Sequence, residues 1–167
     1  MKEQKGTTVS RLICALCEGK GVIKYMKQHS VRELLVREEK ARKQIISPLL
    51  SNIGLTPGQG QARILYNLLQ KDHITQKELA DRCHFDTATL SRNIDKLQDM
   101  GFLLRENNPD CRRSVLISLT DKGVAEAEEV RKVFQQFEEL ICDHIPEDEI
   151  AVFCKVLMKM CDNLEAY

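Results

Sequence analysis

The stretch Phe85–Phe102, FDTATLSRNIDKLQDMGF, decides how the rest of the chain is read. Asp86 stands where a helix wants a side-chain acceptor at its start. Ala88, Leu90, Ile94, Leu97 and Met100 recur at helical spacing and form an apolar stripe. Thr87, Thr89, Ser91, Arg92, Asn93 and Lys96 fall on the other side or in the first turn: short hydrogen-bonding groups and two cations. Gly101 sits just past the end, where a left-handed C-terminal cap is wanted, and Phe102 supplies the accompanying apolar contact. A helix with an apolar stripe and a polar back is also the commonest surface helix. Taken alone, this stretch leaves a solvated face and a binding face equally open.

Its neighbours narrow the choice. Thr75-Gln76-Lys77-Glu78 reads as a capping box that opens a short helix through Leu79 and Ala80 to Cys83, and the chain turns at His84. Thr56-Pro57-Gly58-Gln59 predicts an earlier helix start, running to about Lys71 with Ala62, Leu65, Leu68 and Leu69 inward. After Gly101 the period changes from helical to alternating. Phe102–Arg105 and Ser114–Leu119 read as two strands around the turn-rich loop Asn107–Arg113. Helix, helix, turn, helix and hairpin is the order of a winged helix-turn-helix, whose second helix enters the DNA major groove. There Ser and Thr bond base edges or phosphates, Asn reads adenine, and Arg reads guanine or holds a phosphate. Arg112 or Arg113 at the hairpin tip suits the narrow minor groove.

The flanks are helical. From His29 to about Asn52, Val31, Leu34, Leu35, Ala41, Ile45, Leu49 and Ile53 recur every three to four residues, with a kink expected at Ser47-Pro48. Thr120-Asp121-Lys122-Gly123 starts a helix to about Ile141 with Val124, Ala127, Val130, Phe134, Phe137 and Ile141 on one face. Pro146–Glu149 starts another, striped by Ile150, Phe153, Leu157, Met160 and Leu164. The acidic residues in its first turn suit the helix N-terminus. A further helix is expected at about Val9–Glu18. The fold class is therefore mainly α with a small β-hairpin wing.

Composition fits a soluble globular chain: 43% of its 167 residues are hydrophobic and 30% charged. It has no Trp and only 5% aromatic residues, so the core must be mostly aliphatic. The apolar run Leu12–Cys17 is too short for a membrane span or a signal-peptide core, and a cytoplasmic location is expected. Net charge is zero but unevenly spread. Residues 1–56 carry eleven basic against five acidic side chains, residues 57–123 ten against nine, and residues 124–167 four against eleven. The zero total thus does not exclude a middle segment that displays its cations on one side.

From Leu55 to Gly123 the chain resembles the MarR family of winged-helix transcription regulators. The resemblance is carried by Leu55-Thr56-Pro57, Thr75–Ala80, Leu90–Leu97, Met100–Arg105, Asp110–Ser114 and Leu119–Gly123, in the family's order and spacing. It implies an N-terminal dimerisation helix (28–54), a winged helix-turn-helix domain (55–120) and C-terminal dimerisation helices (121–167). Residues 1–27 are left as an extension of unknown role. It further implies a homodimer on a palindromic operator of double-stranded DNA, acting as a repressor and released by a small-molecule effector. Carried onto this sequence, Thr87, Thr89, Ser91, Arg92 and Asn93 lie at or near bases and phosphates. Lys96, Thr75 and Gln76 are phosphate candidates. Family wings often carry an acidic residue where Cys111 stands and a basic one near Asp110. The order here is Asp110-Cys111-Arg112-Arg113, with Arg112 assigned to the tip and Arg113 to bracing or phosphate.

The chain has seven cysteines. Cys83 falls at an apolar helix position and reads as core. Cys154 and Cys161, seven apart, share a face and read as packing residues. Cys14-Ala15-Leu16-Cys17 has C-x-x-C spacing near Arg11 and Lys20, and Cys111 stands beside Arg112, where positive charge favours thiolate. A redox switch at Cys14, Cys17 or Cys111 is therefore the first rival to a ligand-gated regulator. A thiol enzyme is disfavoured, since no Cys-His-acid motif, phosphate-binding Gly-rich loop or metal signature is present; no enzyme activity and no cofactor are expected. A winged helix that binds protein and not DNA is the remaining rival.

Overall fold

A computed structural model describes residues 30–58, 60–109, 111 and 114–167. The helix expected at Val9–Glu18, Cys14, Cys17, Gln59, Asp110, Arg112 and Arg113 lie outside the described residues. In chain order the elements are α1 (Val31–Asn52), α2 (Gln61–Gln70), β1 (Ile74–Thr75), α3 (Gln76–Cys83), α4 (Thr87–Asp99), β2 (Leu103–Asn107), β3 (Val115–Leu119), α5 (Asp121–Cys142) and α6 (Glu147–Glu165). One compact unit ends at Ile45, within α1, and the other runs Ile46–Tyr167. In the first, no described side chain from Val31 to Ile45 is buried.

The second unit is built around an aliphatic core. Ile64, Leu65, Leu68, Leu79, Leu90, Ile94, Leu97 and Ile117 have no exposed surface. Leu50, Leu55, Phe102, Leu103, Ala127 and Val130 join them. The hairpin is wider than expected. The two residues of β1 add to its edge, giving an antiparallel sheet ordered β1-β3-β2. Ile74 faces Ile117, and Leu103 faces Leu119 across the hairpin. The central strand therefore buries Leu116, Ile117 and Ser118 consecutively instead of alternating.

Two helix starts behave as the sequence predicts. Thr75 Oγ1 accepts from Glu78 N (3.2 Å), and Thr120 Oγ1 accepts from Gly123 N (2.9 Å). The Glu78 carboxylate, expected to complete a capping box, instead accepts from Lys71 Nζ at 2.7 Å. The start predicted at Thr56 is wrong. Thr56 to Gly58 form a turn, Gly58 and Gly60 are both left-handed (φ 78° and 81°), and α2 begins at Gln61. The Gln61 side chain is buried and takes Thr56 N–H on Oε1 (2.8 Å), so it ties down the preceding turn, while no side chain caps the start of α2. Gly60 must be glycine twice over: besides its φ, an added Cβ would lie 2.3 Å from the Phe85 ring.

The end of α4 is tied to the start of α5 through consecutive carbonyls. Met100 O accepts from Lys122 Nζ (2.9 Å), Gly101 O from Thr120 Oγ1 (2.8 Å), and Phe102 O from Thr120 N (3.0 Å). Lys122 also lies over the Phe102 ring at 4.8 Å. The approach is close enough that a Cβ on Gly123 would stand 2.0 Å from Phe102 O. On α5 the buried face is Gly123, Ala127, Val130 and Val133, while Val124, expected inward, is exposed. Phe134 meets Tyr66 of α2 edge-on, ring centroids 5.3 Å apart. No residue of α6 is buried. Among the described residues no helix is long and apolar enough to cross a membrane.

Candidate nucleic-acid interface

The exposed side of α4 is shaped by its own caps. At the N-terminus Asp86 Oδ1 accepts from Thr89 N (2.7 Å) and Oδ2 from Thr89 Oγ1 (2.7 Å). These two bonds hold the Asp86 carboxyl below its ordinary range, the backbone N–H contributing most. The preceding turn is closed by His84 in the left-handed conformation (φ 52°), which histidine tolerates. Arg63 of α2 braces that turn, donating Nη1 to Cys83 O (3.1 Å) with its guanidinium over the Phe85 ring. At the C-terminus Gly101 is left-handed, with Phe102 N–H on Leu97 O and Gly101 N–H on Gln98 O (both 2.9 Å). Both ends of the helix, and therefore the direction of its exposed side, are fixed.

On that side Thr87 and Arg92 are exposed, and Thr89 and Ser91 are half-buried. Arg92 is held along the helix by Nε to Ala88 O (3.3 Å) and Nη2 to Thr89 Oγ1 (3.4 Å). Thr89, Arg92, Asp95 and Lys96 line one shallow depression with Gly58. A second cleft runs from Thr75, Gln76 and Lys77 at the start of α3, past Phe85 and Thr87, to Ser114 and Val115 at the wing. Of the residues expected to face DNA, Thr89, Arg92, Asn93 and Lys96 thus line the first surface and Thr75, Gln76 and Thr87 the second, while Ser91 lines neither.

Two positions differ from expectation. Asn93 is not on the outward face: it is 5% exposed, and its Nδ2 donates to Thr89 O at 2.9 Å. It borders the depression from below, with one amide hydrogen committed to its own helix, so the open adenine-reading geometry is absent. Ala88, assigned to the apolar stripe, is exposed instead. It lies four residues before Arg92, hence on the same face, and an exposed Ala methyl suits contact with a thymine methyl. That four-residue spacing was available in the sequence. Arg105 of β2, also unassigned from sequence, bonds Asp95 (2.5 Å) and Gln98 (2.7 Å) of α4.

The thiols divide by burial. Cys83 is fully buried, and burial pushes its pKa up to about 11, against the opposing influence of Arg63 and Arg82. Cys111, Cys154 and Cys161 are exposed, so the last two are not packed among the described residues. His73 is left-handed and contacts Ser118 Oγ (2.9 Å). Among the described residues no group of three or more His, Cys, Asp or Glu is placed to hold a metal.

Comparison with known proteins agrees with this geometry. Residues 58–115 match the model of the MarR family. The chain is 26% identical over 106 residues to YdgJ, an uncharacterised HTH-type transcriptional regulator of Bacillus subtilis, spanning 64% of this chain and 65% of that one. It is 28% identical over 127 residues to the multiple antibiotic resistance protein MarR of Escherichia coli, covering 75% of this chain and 85% of the relative. In fold it is similar to a crystal structure of a mutant E. coli MarR complexed with operator DNA. The TM-score is 0.70 and the identity 24%, over 81% of this chain and 96% of that one. With the capped recognition helix, the wing sheet and these likenesses together, the chain belongs to the MarR family of winged-helix transcriptional regulators.

Proposed function

We propose that the chain represses transcription by binding a palindromic operator as a homodimer, and that a small ligand releases it. The observation that carries the DNA-binding part is the exposed side of α4, where Thr89, Arg92 and Lys96 line one depression on a helix capped at both ends. Thr87 lines the second cleft, and Ser91 precedes Arg92 on the same helix. Thr75, Gln76 and the N-terminus of α3 lie along that cleft, where phosphate is favoured. Arg112 and Arg113 supply the wing contacts in this reading, and Asn93 a supporting role from beneath. Regulation and not catalysis is the activity assigned.

The homodimer is supported by apolar surface left exposed among the described residues. Val152, Phe153, Val156 and Leu164 of α6, and Leu140 and Ile141 of α5, are exposed. Residues 28–54 and 121–167 are accordingly assigned to dimerisation and 55–120 to DNA binding. Two recognition helices then reach half-sites about 34–36 Å apart. A ligand with different affinity for dimers of different spacing shifts their population and so releases DNA.

Selection of duplexes from a random pool by the reduced protein tests this, followed by anisotropy titration at several salt concentrations. A two-fold palindrome whose affinity falls steeply with salt is expected. An unenriched pool, with no binding at low salt, overturns the reading.

A further inference from the structure

The sequence places an acidic residue on a face meant for an acidic polymer. Asp95 lines the same depression as Arg92 and Lys96, and its side chain is 56% exposed. The structure supplies its counterweight from another element. Arg105, in the middle of β2, is held by pairing with Ile117 of the central strand. Its Nη2 donates to Asp95 Oδ1 (2.5 Å), and its Nη1 donates to Gln98 Oε1 (2.7 Å). Asp95 and Gln98 are three residues apart and so lie on one helix face. The planar guanidinium takes a carboxylate on one arm and an amide on the other, which the point charge of a lysine does not reproduce.

We propose that Arg105 is a positioning residue for DNA recognition: its fork anchors the wing strand to Asp95 and Gln98 of the recognition helix and cancels the Asp95 charge where phosphate must approach. The inference rests on the DNA-binding reading above. An ion pair this exposed contributes little to folding stability. Its consequence is therefore to be sought in DNA binding. With Arg105 neutralised, Asp95 becomes an uncovered negative charge on the DNA side, and like-charge juxtaposition is costly at an interface. With both neutralised the repulsion disappears, and Gln and Asn keep a hydrogen bond between strand and helix.

The test is a double-mutant cycle on the full chain, using the duplex that the parent selects from a random pool. Arg105→Gln is expected to weaken binding about tenfold. Asp95→Asn alone leaves affinity equal or tighter. Arg105→Gln with Asp95→Asn returns to within about threefold of the parent. Arg105→Lys, which keeps charge and loses the fork, falls between. Melting temperatures of all four stay close to the parent's. The inference is overturned if Arg105→Gln binds like the parent. It is equally overturned if the double variant stays as weak as Arg105→Gln, because Arg105 would then act by touching DNA itself. Should Arg105→Gln not fold, Arg105→Lys and Asp95→Asn decide. Parent-like binding by the first, or a loss beyond about threefold by the second, overturns it. A parent chain that selects no duplex overturns the DNA-binding reading, and this inference with it.

Discussion

Helices α4 and α6 carry the same kind of apolar stripe and put it to different use. In α4 Leu90, Ile94 and Leu97 are fully buried against α2, α3 and the sheet. In α6 Phe153 is 60% and Leu164 79% exposed, and no residue of the helix is buried. Periodicity therefore says that a face is to be covered, and is silent on whether the cover comes from the same chain. For α4 the chain covers it; for α6 the proposed dimer must.

The sharpest way to break this contrast is to truncate one stripe residue in each helix. Leu97→Ala removes a fully buried side chain and should cost about 3–4 kcal/mol by denaturant unfolding. Phe153→Asp on α6 should instead change association. Sedimentation should show a shift from dimer to monomer, with the winged-helix core intact. If Phe153→Asp leaves the mass of the particle unchanged, the assignment of α6 to dimerisation fails.

Next in size is Gly123→Ala. The added Cβ meets a backbone oxygen, so α5 must shift away from Phe102, at about 2–3 kcal/mol. A melting temperature equal to the parent's would show that the joint between α4 and α5 is looser than drawn.

The Asp86 cap gives a smaller, pH-dependent effect. Its folded carboxyl titrates below its ordinary value, so it contributes stability fully above the unfolded value. That contribution is lost as pH falls through the depressed folded one. Asp86→Ala should therefore lower the melting temperature at neutral pH, by an amount that shrinks below about pH 4. A difference independent of pH would place the stabilisation elsewhere.

The smallest effect is a rate. At pH 8 under native conditions Cys111 should label readily, and Cys83, with its pKa raised to about 11 by burial, should label last. Early modification of Cys83 would mean that the core opens locally.

What could be read in advance followed from strong local chemistry. Asp86, Gly101 and Thr120 each fix a helix end through one side chain or one left-handed residue, and each stood where it was expected. The misreadings share a cause: a tertiary partner outvoted the local motif. Thr56-Pro57 has the form of a helix start, yet Gln61 and two left-handed glycines move that start to residue 61. Strand β1, at two residues, is too short for any period and exists through its pairing with β3. Asn93 is polar by type but buried by rotation about the helix, and Ala88 is apolar by type but exposed for the same reason. Of the candidate interface, Thr87 and Arg92 were legible as outward residues. Arg105 was not, because its partners lie on another element, seven and ten residues away.

The three carbonyls of Met100, Gly101 and Phe102, held by Thr120 and Lys122, make a shared corner between α4 and α5. In the proposed dimer, this joint would give a tilt of α5 a direct route to α4, and so tie the spacing of the two α4 helices to the packing of α5.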